Sequence, residues 1–376
     1  MIDSNTTPRI VLAHDWLVGL RGGEFVLDRL ARLFGPTDLY TLVCNGIPLT
    51  DAITACDIKT SHLQMLPGAS GRMRRQYLPL MPWAVSRIKV EPCDLVISTS
   101  SAVMKSIRPP QGTPHICYCH SPARYIWAQT DEYTTGSGGA WRKAGLNLVA
   151  PAFKKWDKST ADRVTKFLAN SNHTAKRINE CFDREAEVVY PPVRTNWFTV
   201  DENVKREDWL LVVAALEPYK RTDLVIQAAT KAGIKLKVAG SGSQFDALKA
   251  QAGTGDNVQM LGHVDELELL DLYRKAKALV FPQVEDFGII AVEAQATGCP
   301  VIAFADGGAT ETVANDTGVF FNEPNVESLL GAIEVLGSVK IDPNACRTNA
   351  ERFAEKVFDE AVLKHVEEIF RDFKGK

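Results

Sequence analysis

No two cysteines are spaced C-x-x-C, no apolar run approaches the ~20 residues of a membrane-spanning helix, and neither sign of charge predominates. Each absence excludes a class of protein. Eight cysteines in 376 residues are too few for a disulfide framework, and Cys117 and Cys119 merely alternate along one apparent strand. Reduced, buried thiols are expected there rather than a metal site. With 43 basic residues against 46 acidic ones, nothing global points to nucleic acid. The opening MIDSNTTPRIVLAHDW has no basic stretch leading into an apolar core. No signal peptide is expected, and the cytoplasm is the expected location. H-x-x-x-H and H-E-x-x-H are missing, which argues against a metal; G-x-S-x-G is missing, which argues against a serine hydrolase.

What is present is a globular composition, 45% hydrophobic and 24% charged, in a chain too long for one ordinary core. RIVLAH (9–14), the glycine loop GLRGG (19–23) and the helical spacing of EFVLDRLARLF (24–34) open a parallel α/β unit. DLYTLV, DLVISTS, HICYCH, KFLANS and EVVYPPV read as further strands, most of them continuously apolar, as in a sheet covered on both faces. The same order restarts at WLLVVAAL (209–216) and runs on through KLKVAGSG, NVQMLG, ALVFP and PVIAF. The polar, aperiodic 194–208 marks the connection. Domains are therefore expected over 1–195 and 196–350. The apolar face over 344–373 predicts helix, and periodicity leaves open whether its last part, 351–376, crosses back to the first domain. Two doubly wound domains imply ligands at the carboxyl ends of the strands, facing a cleft.

The densest stretch is FPQVEDFGIIAVEAQATGCPVIAF, residues 281–304. A helix is expected from near Phe287 and Gly288 to Thr297, with Gly298 as its cap. Glu285 then lies just before the helix and Glu293 inside it, so the two carboxylates flank a terminus rich in free N–H groups, suited to a diphosphate. Each glutamate alone fits an ordinary helix start equally well. The D-F-G triplet at 286–288 has no kinase partners elsewhere in the chain. Lys220 and Arg221, between a strand and a helix, suit phosphate as point charge and fork, or are a solvated basic pair. Gly22 and Gly23 would let backbone amides approach a phosphate, or form a plain tight turn; the dinucleotide fingerprint is absent. His120 ends a strand, where cleft and core are both open to it. RMRRQYLPLMPWAVSRIKV (72–90) has five basic residues, no acidic ones and several aromatic and aliphatic groups. That mixture suits an anionic membrane surface or a partly buried surface segment. WRKAGLNLVAPAFKKWDK (141–158) is similar.

Taken together, EDFGIIAVEAQATGCPVIAFADGGATETV with its E-x7-E spacing, GLRGGE, YCHSPARYIW, LANSNHTAKRI, YPPV and PYKRTDL resemble the family 4 glycosyltransferases in order along nearly the whole chain. They look most like bacterial mannosyltransferases of polysaccharide and O-antigen assembly. The resemblance implies an α/β GT-B fold: two Rossmann-like doubly wound domains facing a central cleft, the first acceptor-side and the second nucleotide-sugar-binding. It implies a retaining enzyme that needs no metal or cofactor. The expected donor is GDP-mannose and the expected acceptor a polyprenyl-diphosphate-linked oligosaccharide, with peripheral membrane contact through 72–90 at the inner face of the cytoplasmic membrane.

As implied roles, His120, Lys220 and Glu285 are catalytic. Glu293 holds the donor ribose. Phe287, Gly288 and Ile289 offer backbone N–H groups beside Glu285. Gly22 and Gly23 close on the diphosphate, Arg221 assists it, and Gly262, His263 and Val264 lie against the base. Many members have an arginine five residues before the lysine, where this chain has Ala215. A UDP-hexose donor, a sugar-nucleotide epimerase or hydrolase on the same fold, and a non-catalytic binding protein are the alternative readings.

Overall fold

The computed structural model describes residues 8–127 and 139–374. The expected absence of a leader concerns residues 1–7, and the basic segments include the side chains at 72, 75 and 141–148; these lie outside the described residues. The chain divides into two compact units, Met1–Pro192 with Phe358–Lys376, and Val193–Val357.

The first unit is built on seven parallel strands: β1 (Ile10–His14), β2 (Asp38–Thr41), β3 (Asp57–Thr60), β4 (Leu95–Ser100), β5 (His115–Cys119), β6 (Lys166–Ala169) and β7 (Ala186–Val188). Their spatial order is β3-β2-β1-β4-β5-β6-β7. The second unit has six: β8 (Leu210–Val213), β9 (Leu236–Ala239), β10 (Val258–Gly262), β11 (Ala278–Phe281), β12 (Val301–Phe304) and β13 (Gly318–Phe321), in the order β10-β9-β8-β11-β12-β13. In each sheet the chain runs outward one way from its first strand, then returns to run the other way. The reversal falls between β1 and β4 and between β8 and β11, where open parallel sheets generally place a ligand crevice at the strands' carboxyl ends. The residues of interest follow these strands.

The interior strands match the apolar runs because both faces are covered, and β1, β4 and β5 are buried along their whole length. The edge strand β3, Asp57–Thr60, is polar and largely uncovered and escapes the pattern; β13, Gly318–Phe321, is apolar but only four residues long. Three helix boundaries differ from expectation. The Gly22–Phe34 helix takes in Gly22 and Gly23, which therefore form its first turn rather than a preceding loop. The helix after Glu285 begins at Ile289, because Gly288 is left-handed at φ 93°. The expected helix over 344–373 is two, Pro343–Glu351 and Glu355–Lys374.

The second of these helices packs Phe358, Val362, Val366 and Ile369 into the first unit's core with Leu12, Leu27 and Tyr118. Lys166 secures it, reaching Glu187 at 2.7 Å, Glu368 at 2.9 Å and His365 at 3.2 Å. These last three residues converge as metal ligands would, but the lysine ammonium is already their cation. Its bond, with help from His365, pushes the Glu368 carboxyl down to about 2.

Asp15, buried just beyond β1, accepts backbone N–H bonds from Ser101, Ala102, Val103 and Met104 at 2.6–2.9 Å. One carboxylate thus fixes the chain leaving β4 against the chain leaving β1, at the first unit's reversal point.

Candidate active site

In the second unit, Pro218–Lys220 forms a single tight turn after β8, and the loop after β11 carries Glu285. These are the two strands that flank the reversal, so their loops meet. The Lys220 ammonium forms a close ion pair with Glu285 Oε1, and the Gln283 amide donates to the same oxygen at 3.5 Å. Both side chains of the pair are mostly covered. Arg221 adopts a left-handed conformation, φ 51°, so its side chain diverges from that of Lys220. It donates to the Pro324 carbonyl at 3.4 Å and faces Asp223 at 3.6 Å. The two adjacent cations expected to act together are thus directed apart.

The glutamate loop is held by close backbone packing. Gly308 N–H donates to the Glu285 carbonyl at 2.8 Å. A Cβ at Gly307 would stand 2.5 Å from that carbonyl, and one at Gly308 would stand 2.4 Å from Phe287 Cα. Only glycine fits, which explains the ADGGAT that follows β12. The Phe287 ring meets Phe353 edge-on at 5.4 Å. Gly288 and Ile289 open the Ile289–Ala296 helix, whose first N–H groups have no partner within the helix.

Glu293 lies in the second turn and belongs to a different set of contacts. It accepts a hydrogen bond from the Tyr273 hydroxyl at 3.1 Å. Burial pushes its carboxyl up to about 7, opposed by Arg194 and by the tyrosine bond and reinforced by Glu266. The two glutamates are therefore not a coupled acid–base dyad: each has its own partner. Gly262 ends β10 with its carbonyl accepting from Gly240 N–H at 2.6 Å, and His263 and Val264 lead to Asp265, which caps the Glu266–Lys275 helix.

In the first unit, Gly23 faces two histidines. A Cβ there would lie 3.5 Å from His120 Nε2 and 3.6 Å from His14 Cε1. The expected Gly23 and His120 are thus brought together, and His14 joins them. His14 Nδ1 meets Thr99 Oγ1 at 2.6 Å, and its Nε2 lies 3.8 Å from Glu24 Oε1. Burial raises the Glu24 carboxyl, but His14 and the backbone N–H groups at this helix start outweigh it, so it stays below its ordinary value. His14 had a legible signal, being at a strand's carboxyl end as His120 is. Tyr273 and Arg194 had none, since their partners lie on other elements.

Within 72–90, a Arg72–Leu80 run of tight 3-10 turns leads into the short Met81–Ser86 helix. Met73, Leu80 and Trp83 are exposed, while Tyr77 and Leu78 pack against the core. Among the described residues, no helix is long and apolar enough to cross a membrane.

The family model described as "Glycosyltransferase Family 4" matches residues 22–197, and the one described as "Glycosyl transferases group 1" matches 193–353. A D-inositol 3-phosphate glycosyltransferase of Mycobacterium sp. (strain KMS) is 29% identical over 212 residues, covering 50% of this chain and 48% of that protein. A glycogen synthase of Mycobacterium tuberculosis (strain CDC 1551 / Oshkosh) is 35% identical over 158 residues, covering 39% of this chain and 37% of that protein. The chain spans about half the length, or less, of these curated relatives. Among solved structures, Anabaena HepE in complex with UDP shares the fold, with a TM-score of 0.68 at 13% identity, covering 96% of this chain and 100% of that one.

Proposed function

The chain belongs to the family 4 glycosyltransferases and has their GT-B fold, and on that premise we propose that it transfers a hexose from a nucleoside diphosphate sugar with retention of configuration. The proposed donor is GDP-mannose and the proposed acceptor a polyprenyl-diphosphate-linked oligosaccharide of surface or exopolysaccharide synthesis. The observation that carries the proposal is the Lys220–Glu285 pair beside a helix N-terminus at the sheet's reversal point.

In this reading, the Lys220 ammonium and the helix N-terminus stabilise charge that grows on the departing diphosphate. Glu285 and the N–H groups of Phe287, Gly288 and Ile289 hold the transferred sugar, and Glu293 holds the ribose. His120, Gly22 and Gly23 act from the first unit, and Gly262, His263 and Val264 lie against the base. No residue is assigned as a metal ligand. The acceptor hydroxyl attacks from the leaving-group face, and a phosphate oxygen takes its proton. Arg221, directed toward Asp223 and Pro324, must turn to stand in for the arginine missing at Ala215.

A thermal-shift panel of GDP- and UDP-sugars tests the donor, since a ligand that binds the native state raises its apparent stability. GDP-mannose should give the largest shift. The UDP bound by HepE favours a second reading, a UDP-hexose donor, and a larger shift with UDP-glucose would select it. Glu293→Ala should weaken donor binding about 10–100-fold, the loss of hydrogen bonds to a charged acceptor worth about 1.5–3 kcal/mol. Full binding by that variant would remove Glu293 from the site.

Peripheral membrane contact through 72–90 completes the proposal, supported by exposed Met73, Leu80 and Trp83 beside a basic run. At about 1 kcal/mol per basic residue near an anionic surface, changing Arg72, Arg74 and Arg75 to Ser should cost roughly 100-fold in partitioning. Flotation with phosphatidylserine vesicles measures it, and equal recovery of parent and variant would reject the contact.

A further inference from the structure

Tyr273 is fully buried in the last turn of the Glu266–Lys275 helix, yet its hydroxyl is committed to a group the donor is proposed to use. It donates to Glu293 Oε2 at 3.1 Å, and its ring is held edge-on by Phe198 at 5.6 Å. A buried tyrosine hydroxyl needs a partner, but nearby backbone carbonyls ordinarily serve. Here the partner is a carboxylate twenty residues further on. Arg194, the second residue of this unit, grips Glu266 at 2.8 and 3.2 Å and adds its positive field at Glu293.

We propose that Tyr273 is a positioning residue for Glu293: its hydroxyl commits one carboxylate oxygen, leaving the other aimed at the donor, and keeps the group ionised as a two-hydroxyl acceptor. Arg194 supports the same state from the other side. The inference rests on the reading of Glu293 as the ribose-binding residue, and it adds the apparatus that makes a half-buried carboxylate usable there.

The other charged groups on the elements around Glu293 do not replace that apparatus. Glu266 opposes ionisation of Glu293 and is itself paired with Arg194. On the Pro343–Glu351 helix, Arg347 is occupied by Glu351 and by the carbonyls of Thr195, Phe198 and Ala296. The Ala309–Thr312 helix brings only another acid, Glu311. Glu355 acts on Arg194.

The sign of the expected effect follows from which form the hydroxyl stabilises. A donor bonded to the carboxylate favours the charged form, so removing it moves ionisation to higher pH. Because burial pushes the Glu293 carboxyl up to about 7, nucleotide binding should weaken as pH falls through neutrality.

The test is calorimetric titration of the full chain with GDP and with UDP between pH 5.5 and 9. Glu293→Gln supplies the profile due to the nucleotide's own phosphates. Relative to it, the parent chain should lose binding several-fold below neutrality. Tyr273→Phe should bind nearly as well as the parent at pH 9, with the midpoint of loss moved up by roughly one pH unit. Arg194→Gln should move it the same way, and serves if Tyr273→Phe does not fold. A uniform loss at every pH, or an unmoved midpoint while Glu293→Gln still alters the profile, would overturn the positioning role in favour of packing alone. Parent-like affinity and profile in Glu293→Gln would instead remove the reading of Glu293 on which the inference rests.

Discussion

Exchange of Lys220 for alanine should lower the turnover of sugar transfer by about 100–1,000-fold, the usual effect of removing one preorganised group aimed at developing charge. Its effect on donor affinity should be much smaller. The diphosphate is charged in the ground state too, but it gains charge as the sugar–oxygen bond breaks, and only that gain counts toward rate. Lys220 is placed for this by the reversal of strand order, which sets the loop after β8 beside the loop after β11. Alanine there also leaves Glu285 without its cation. Lys220→Met, which keeps Glu285, and thermal unfolding of that variant beside Lys220→Met with Glu285→Gln show how much of the loss is the stability cost of the unpaired carboxylate. Lys220→Arg should recover only part of the rate, since a planar fork does not reproduce a compact ammonium. Steady-state kinetics of Lys220→Ala within about two-fold of the parent would end the assignment.

Loss of the Asp157 carboxylate should destabilise the first unit by about 3–5 kcal/mol, the cost of leaving a buried charge without its partner. Lys105 and Asp157 are 2% and 0% exposed, and they meet at 3.0 Å. The Lys105 ammonium also donates to the Asp157 carbonyl at 2.5 Å and to Thr160 at 3.2 Å, and it lies 4.4 Å from the Phe182 ring centre. The other Asp157 oxygen accepts from Trp127 Nε1 at 2.8 Å. Both partners are buried, so removing the carboxylate leaves a buried ammonium without its counter-charge. Asp157→Ala should lower the urea midpoint strongly and speed amide exchange in β5 and β6. Lys105→Met with Asp157→Leu should restore much of the loss, because a buried pair replaced by packed apolar groups is often neutral. An unchanged midpoint in Asp157→Ala would mean that the pair contributes nothing net.

Much of this architecture was legible from local pattern. β1, β4 and β5 show in the sequence because strands covered on both faces must be apolar throughout. β3 does not, because an edge strand can be polar and exposed, and β13 is apolar but only four residues long. Glu285 before a helix and Glu293 within it follow from spacing, as does Lys220 beyond a strand. Glycine pairs were visible too, though not their purposes: Gly307 and Gly308 exist so that one loop can lie against the Glu285–Phe287 backbone.

Pattern could not show which charges would meet. Lys220 and Arg221 are neighbours in the chain, yet one positive φ turns the arginine to Asp223 while the lysine reaches Glu285, 65 residues on. Tyr273 reads as one more core aromatic until the fold sets its hydroxyl against Glu293. His14 and Thr99 come together through strands far apart in sequence, and Glu24 joins them from the helix that follows β1. The sequence by itself determined the two parallel sheets and the residue types at their strand ends, because burial and helix capping act over a few residues. Only the tertiary structure decided the pairing and ionisation of those residues, because both depend on distances between segments that no local spacing encodes.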